Sequence, residues 1–171
     1  KAVRTACGTP KAGIVVADAQ DANALDALAR NAKVVLSTAG PFALYGSELV
    51  AACVRHGTHY VDITGETPWV RDMIDRHHDA AQAKGARIIP CCGFDSIPSD
   101  LSARLAIEAM WAQHGETCTS VKSAFSLRGG FNGGTLASMF NMLASGQADA
   151  VADPYLLNPK GPRPACGMDV S

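Results

Sequence analysis

Four short runs rich in β-branched and aliphatic residues are each followed by a helix-like stretch, and this alternation restricts the fold more than any other feature of the chain. The runs are "GIVVADA" (13–19), "KVVLST" (33–38), "HYVDI" (59–63) and "ARIIP" (86–90). After the first, Leu25, Leu28, Ala29 and Ala32 fall at i, i+3, i+4 and i+7 behind Asp21 as a helix cap. The next helix is "SELVAACVRHG" (47–57), from Ser47 as N-cap to Gly57 beyond its end. In "TPWVRDMIDRHHDAAQAKG" (67–85), Thr67 caps, Pro68 takes the first helical position and Gly85 stops the helix. A last helix is expected near 99–114. Strands joined by helical crossovers are parallel neighbours, since antiparallel strands need only a tight turn. The expectation is a doubly wound α/β sheet covered by helices on both faces.

The rhythm changes after Gly115. "TSVKSAFSLRGG" (119–130) alternates Val121, Phe125 and Leu127 with Lys122, Ser126 and Arg128, the pattern of a half-exposed, antiparallel strand. "GGTLASMFNMLASG" (133–146) then sets Leu136, Met139, Phe140 and Leu143 at helical spacing ahead of Gly146. Residues 1–115 are therefore assigned to one domain and residues 116–171 to the start of a second, mixed α+β domain.

Lys plus Arg number 15 against 16 Asp plus Glu, so no charge excess argues for nucleic acid or an anionic membrane surface. Small molecules or other proteins are the expected partners; self-association and peripheral membrane association stay open. Six cysteines without C-x-x-C spacing, two of them adjacent, suit reduced thiols and a cytoplasmic location better than a disulfide framework. No run reaches transmembrane length. The first residue is Lys1 and the proline-rich end has no closing element, so the chain reads as a piece of a longer protein.

In a doubly wound sheet, ligands bind beyond the carboxyl ends of the strands. The segments there are unusual: "ADAQD", "AGPFALYG", "TGE" and "CCGFDSIPSD", rich in glycine and short polar side chains. Tyr60, Asp62 and Glu66 cluster at one strand end and Asp95, Ser96, Ser99 and Asp100 at the next, which parallel pairing would bring together. A carboxyl or a tyrosine with a shifted pKa can donate or accept a proton there. Ser99 or Asp100 can equally cap the following helix, with Asp95 bracing the loop. Cys53, His56 and His59 follow C-x-x-H-x-x-H, but Gly57 ends the helix between the last two, so no metal site is assigned. His77 and His78 are adjacent on a helix and point about 100° apart. Cys91 and Cys92 read as small buried hydrophobes unless the loop is electropositive.

The stretches "VVLSTAGPFALYGSELVAAC", "GTHYVDITGE" and "GARIIPCCGFDSIPSDL" resemble the saccharopine dehydrogenase-like oxidoreductases, a family that includes trans-acting enoyl reductases. The resemblance runs from about residue 13 to about residue 145. It implies a Rossmann-type nicotinamide-binding domain followed by a domain for substrate binding and dimerisation, with NADP or NAD as cofactor and hydride transfer to or from an amino-acid- or lipid-derived substrate. It places Asp18 beside the adenine, and Thr38, Ala39, Gly40, Pro41 and Phe42 along the ribose and nicotinamide. The strand-end reading sets Tyr45, Asp62, Glu66 and Ser96 on the substrate side and takes Asp95 and Tyr60 as the catalytic pair. Asp18 can also serve simply as a helix-leading acid, and "GPFALYG" as an ordinary turn. The glycine-rich phosphate turn of such domains is absent: no G-x-G-x-x-G occurs, and the glycines of "RGGFNGGT" (128–135) fall at other offsets. The expectation is an oxidoreductase fragment that binds cofactor poorly alone; the alternative is a non-catalytic interaction or lipid-associated module on the same fold.

Overall fold

A computed structural model of the chain describes residues 13–126, 128–130, 133–144, 146, 148–159 and 161. Its elements are α1 (Ala22–Arg30), β1 (Val34–Ser37), α2 (Phe42–Tyr45), α3 (Ser47–His56), β2 (His59–Asp62), α4 (Thr67–Lys84), β3 (Ile88–Ile89), α5 (Ile97–His114), α6 (Gly133–Ala144) and α7 (Ala148–Ala152). The three strands form one parallel sheet in the order β1-β2-β3, with Val35 opposite Tyr60 and Tyr60 opposite Ile88. This is the α/β architecture expected of a partial Rossmann-type domain.

One face of the sheet carries the core. Val35 and Ser37 of β1 and Tyr60 and Asp62 of β2 are buried at alternate positions, and Val35 and Tyr60 pack with Leu25 and Ala29 of α1, Val50 and Cys53 of α3, and Trp69, Val70 and Met73 of α4. The opposite face is open, with Val34 54% and Leu36 66% exposed. Among the described residues, then, one of the two helical layers of a doubly wound sheet is in place. Arg55 ties α3 to α1 across the surface, 2.9 Å from Asp26 and 2.7 Å from Glu48. The half-exposed side chains limit what this pair of contacts adds to stability.

Several local expectations need correction. Residues 13–16 form no strand, and Val15 and Val16 are 75% and 93% exposed. A strand exists only where a neighbour accepts its hydrogen bonds, and no described segment lies beside this one. The same reason applies to 119–130: its described residues form no strand, Val121 and Phe125 are exposed, and Leu127 lies outside the described residues. Ser47 and Thr67 do not cap their helices but begin them, after Gly46 and Glu66. Ser47 instead accepts a hydrogen bond from Trp69 Nε1 at 2.9 Å. The helix expected near 99–114 starts at Ile97, with Pro98 in its first turn, and none of its residues is buried. Asp21 caps α1 as expected, accepting from the amides of Asn23 and Ala24 at 3.0 and 3.1 Å. Gly57, Gly85 and Gly115 end α3, α4 and α5 with φ of 68°, 66° and 66°, the left-handed conformation that glycine adopts without strain.

Candidate functional site

The carboxyl ends of β1 and β2 and the loop after β3 open into a cleft of about 420 Å³. Its inner walls are Thr38, Gly40 and Phe42 from the loop after β1, Ile63 to Glu66 from the loop after β2, and Asp95 from the loop after β3; α6 closes the outer side with Gly134, Ser138, Met139 and Met142. That volume lies within the range of small-ligand sites and gives room for one end of a dinucleotide.

Two acids hold the loops around the cleft. Asp62, at the last position of β2, is fully buried, and its Oδ1 accepts from the amides of Thr64 at 3.0 Å and Cys91 at 2.9 Å. Cys92 N–H donates to the Asp62 carbonyl at 2.7 Å. Both loops are thus folded back onto one strand end, and Cys91 takes a left-handed φ of 59°, uncommon for a residue other than glycine. Thr64 Oγ1 next accepts from the Glu66 amide at 3.0 Å. The Glu66 carboxylate, 1% exposed, then crosses to the loop after β1: Oε1 accepts from Phe42 N–H at 2.8 Å and Oε2 from Ala43 N–H at 2.9 Å. These amides open α2, whose own cap position, Pro41, offers no side-chain acceptor. Oε1 also accepts from Ser138 Oγ of α6 at 2.8 Å.

The turn is held from behind by packing. Phe42 meets Trp69 with ring centroids 5.7 Å apart at 35°, a tilted pair of the kind that adds to simple area burial. Gly46 lies against the Trp69 ring and the Phe42 backbone: a Cβ there would be 2.8 Å from the Phe42 carbonyl and 2.9 Å from Trp69 Cζ2.

The sequence-predicted residues therefore divide by depth. Thr38, Gly40, Phe42, Glu66 and Asp95 come together in the cleft. Ala39 and Pro41 belong to the same turn, and the Gly40–Pro41 peptide is cis. Tyr60 and Asp62 lie beneath the floor, both 0% exposed. Among the described residues, Tyr60 Oη and Asp62 Oδ2 are buried without a hydrogen-bond partner. Burial raises the Tyr60 hydroxyl pKa far above its ordinary value, helped by the Asp62 charge, and burial raises that of Asp62 against the pull of its two amide donors. Tyr45 ends α2, 42% exposed and outside the cleft lining. Ser96 precedes α5, its amide bonded to the Gly93 carbonyl at 3.2 Å. Asp18 stands apart from the cleft in an exposed turn, accepting from Gln20 N–H at 2.9 Å.

Other reactive side chains are engaged elsewhere. Burial, with Asp62 and Asp95 nearby, pushes the Cys91 thiol up to about 11, so it is not a thiolate at neutral pH. Cys53 is buried in the core, His56 Nε2 meets Asp26 at 3.1 Å and His59 Nδ1 accepts from Arg87 N–H, so the C-x-x-H-x-x-H residues have separate surroundings. Arg71 is paired with Asp75 at 2.8 Å. A second groove of about 330 Å³ runs along α4 past His77, whose pKa burial lowers, and is lined mainly by apolar side chains such as Val70, Met73 and Ile88. Sequence reasoning missed the contribution of α6. Its spacing marked a helix, but the signal for its contact, a single serine among apolar residues, is weak without the neighbouring carboxylate in view.

Residues 1–89 match the family described as the saccharopine dehydrogenase NADP binding domain. The trans-acting enoyl reductase of Mycobacterium leprae is 44% identical over 152 residues, 84% of this chain and 36% of the relative. That of Mycobacterium tuberculosis (strain ATCC 25618 / H37Rv) is 41% identical over 163 residues, 90% of this chain and 39% of the relative. The chain thus spans less than two fifths of the length of these relatives. No solved structure gives a significant match. With a parallel sheet whose strand ends open into a cleft, and with the match over its first 89 residues, the chain belongs to the saccharopine dehydrogenase NADP-binding domain family.

Proposed function

We propose that the protein containing this chain is an NADP(H)-dependent oxidoreductase whose nicotinamide and substrate meet in the cleft beyond β1, β2 and β3. The observation that carries this reading is the convergence of the Thr38–Phe42 turn and Asp95 on one cleft in a chain of an NADP-binding family. The residues suit the group. Thr38, Ala39 and Gly40 present an exposed backbone for close approach, and the turn is fixed in place by Glu66 and by Trp69 behind Phe42. The bound dinucleotide would supply the hydride and the protein the matching proton, so that a reduced carbon–carbon double bond gains both.

Asp95 is the group best placed to move that proton: it is exposed, lines the cleft and belongs to the loop after β3. Tyr60 and Asp62, the other acids considered at this strand end, act as internal supports in this reading, because neither reaches the cleft surface. The substrate is a neutral, largely apolar group. Phe42, Ile63, Met139 and Met142 supply apolar wall, the acidic groups are Glu66 and Asp95, and no Lys or Arg is among the described lining residues. A lipid-derived enoyl group fits these walls better than an amino-acid carboxylate, and the relatives' names specify an enoyl reductase. In the longest natural polypeptide that contains the chain, Asp95→Asn is expected to cut turnover by roughly 10²-fold or more with NADPH affinity nearly unchanged. Equal loss of both would make Asp95 a structural brace.

A further inference from the structure

Glu66 is shared by two parts of the cleft that are far apart in sequence. Its carboxylate holds the amides of Phe42 and Ala43, 24 and 23 residues earlier, and the hydroxyl of Ser138, 72 residues later. It is 1% exposed, and its two oxygens accept three hydrogen bonds. The turn it holds is the inner wall of the cleft, and the helix it holds is the outer wall. Other contacts of the turn are independent of α6: Phe42 packs on Trp69, and Gly46 fits between the Phe42 carbonyl and the Trp69 ring.

We infer that Glu66 is a positioning residue that couples the two walls, so that a ligand settling against the Gly40–Phe42 turn also seats α6 over the cleft through Ser138. The inference rests on the reading that a nicotinamide dinucleotide binds at this turn. A carboxylate can do this where an amide cannot. In the Glu66→Gln variant the one remaining oxygen could still accept from Phe42 and Ser138, but the NH₂ group would face the Ala43 N–H, donor against donor. Ser138→Ala severs only the link to α6, and alanine is the best helix former, so the helix itself is retained.

The test is amide hydrogen exchange on the longest natural polypeptide containing the chain, with and without NADPH. Peptides covering the turn (38–46) and α6 (133–144) are followed in the wild type, Ser138→Ala and Glu66→Gln. NADPH is expected to slow exchange several-fold in both peptides of the wild type, only in the turn peptide of Ser138→Ala, and in α6 of Glu66→Gln far less than in the wild type. A Glu66→Gln/Ser138→Ala double variant should match Ser138→Ala in α6, since without the Ser138 hydroxyl the helix has no bond to residue 66 in either. Equal slowing of α6 in the wild type and Ser138→Ala would overturn the coupling while leaving the binding reading intact. No slowing anywhere in the wild type would overturn the binding reading and the coupling with it.

Discussion

Gly46 sits where a methyl group has no room. An added Cβ would lie 2.8 Å from the Phe42 carbonyl and 2.9 Å from the Trp69 ring, neither of which is a flexible tip that can swing away. Gly46→Ala is therefore expected to destabilise the domain by about 1–3 kcal/mol, read as a lower denaturant midpoint at unchanged slope. Asp62 makes a different prediction, because burial raises its carboxyl pKa. An acid bound more tightly to its proton in the folded state than in the unfolded state loses stability as pH rises from the ordinary carboxylate value through the raised one. Asp62→Asn keeps an oxygen for the Thr64 and Cys91 amides, so it should remove that decline and leave a flatter stability profile against pH than the wild type. Asp62→Ala leaves both amides without their acceptor, at roughly 1–3 kcal/mol each. Denaturant unfolding of both variants across the acid-to-neutral range distinguishes these outcomes. At this scale the strand-end acids were legible from sequence, but not their depth. Glu66 and Asp62 read like Asp95, and only the loop geometry separates two buried anchors from one exposed acid.

Helices were the most legible elements, because their signals are local. Asp21, Gly57 and Gly85 mark ends that the structure keeps, and Asp21→Ala should cost about 1 kcal/mol through two lost amide bonds. Asp18→Ala, three residues earlier and holding only the exposed Gln20 amide, should change the unfolding midpoint far less. Strands are less legible, because alternation or an apolar run states a preference that a neighbour must satisfy. "KVVLST" and "HYVDI" find each other in register, whereas "GIVV" and the described part of "TSVKSAFSLRGG" find no strand partner among the described residues. Ser47 shows the same limit at a helix start. The residue type suited a cap, yet a tryptophan 22 positions later claims its hydroxyl, a pairing that no local pattern contains.

Across the whole molecule, the distribution of burial explains how much of the proposed activity this chain can support. The Glu66 bridge and the Phe42–Trp69 support lie within the described residues, while one face of the sheet is open and no residue of α5 is buried. No described helix is long and apolar enough to cross a membrane. The central claim is that a nicotinamide dinucleotide binds against the Gly40–Phe42 turn, and Trp69 is a built-in reporter because it packs on Phe42. The most direct measurement is a titration of NADPH against the longest natural polypeptide containing the chain. It should be made in a Trp111→Phe background that removes the largely exposed second tryptophan of this segment, with Trp69→Phe as the control for signal from elsewhere. The account predicts a saturable change in emission that is lost in the Trp69→Phe control. Absence of any NADPH binding, by this signal or by the cofactor's own fluorescence, would contradict it and leave the non-catalytic module as the better description.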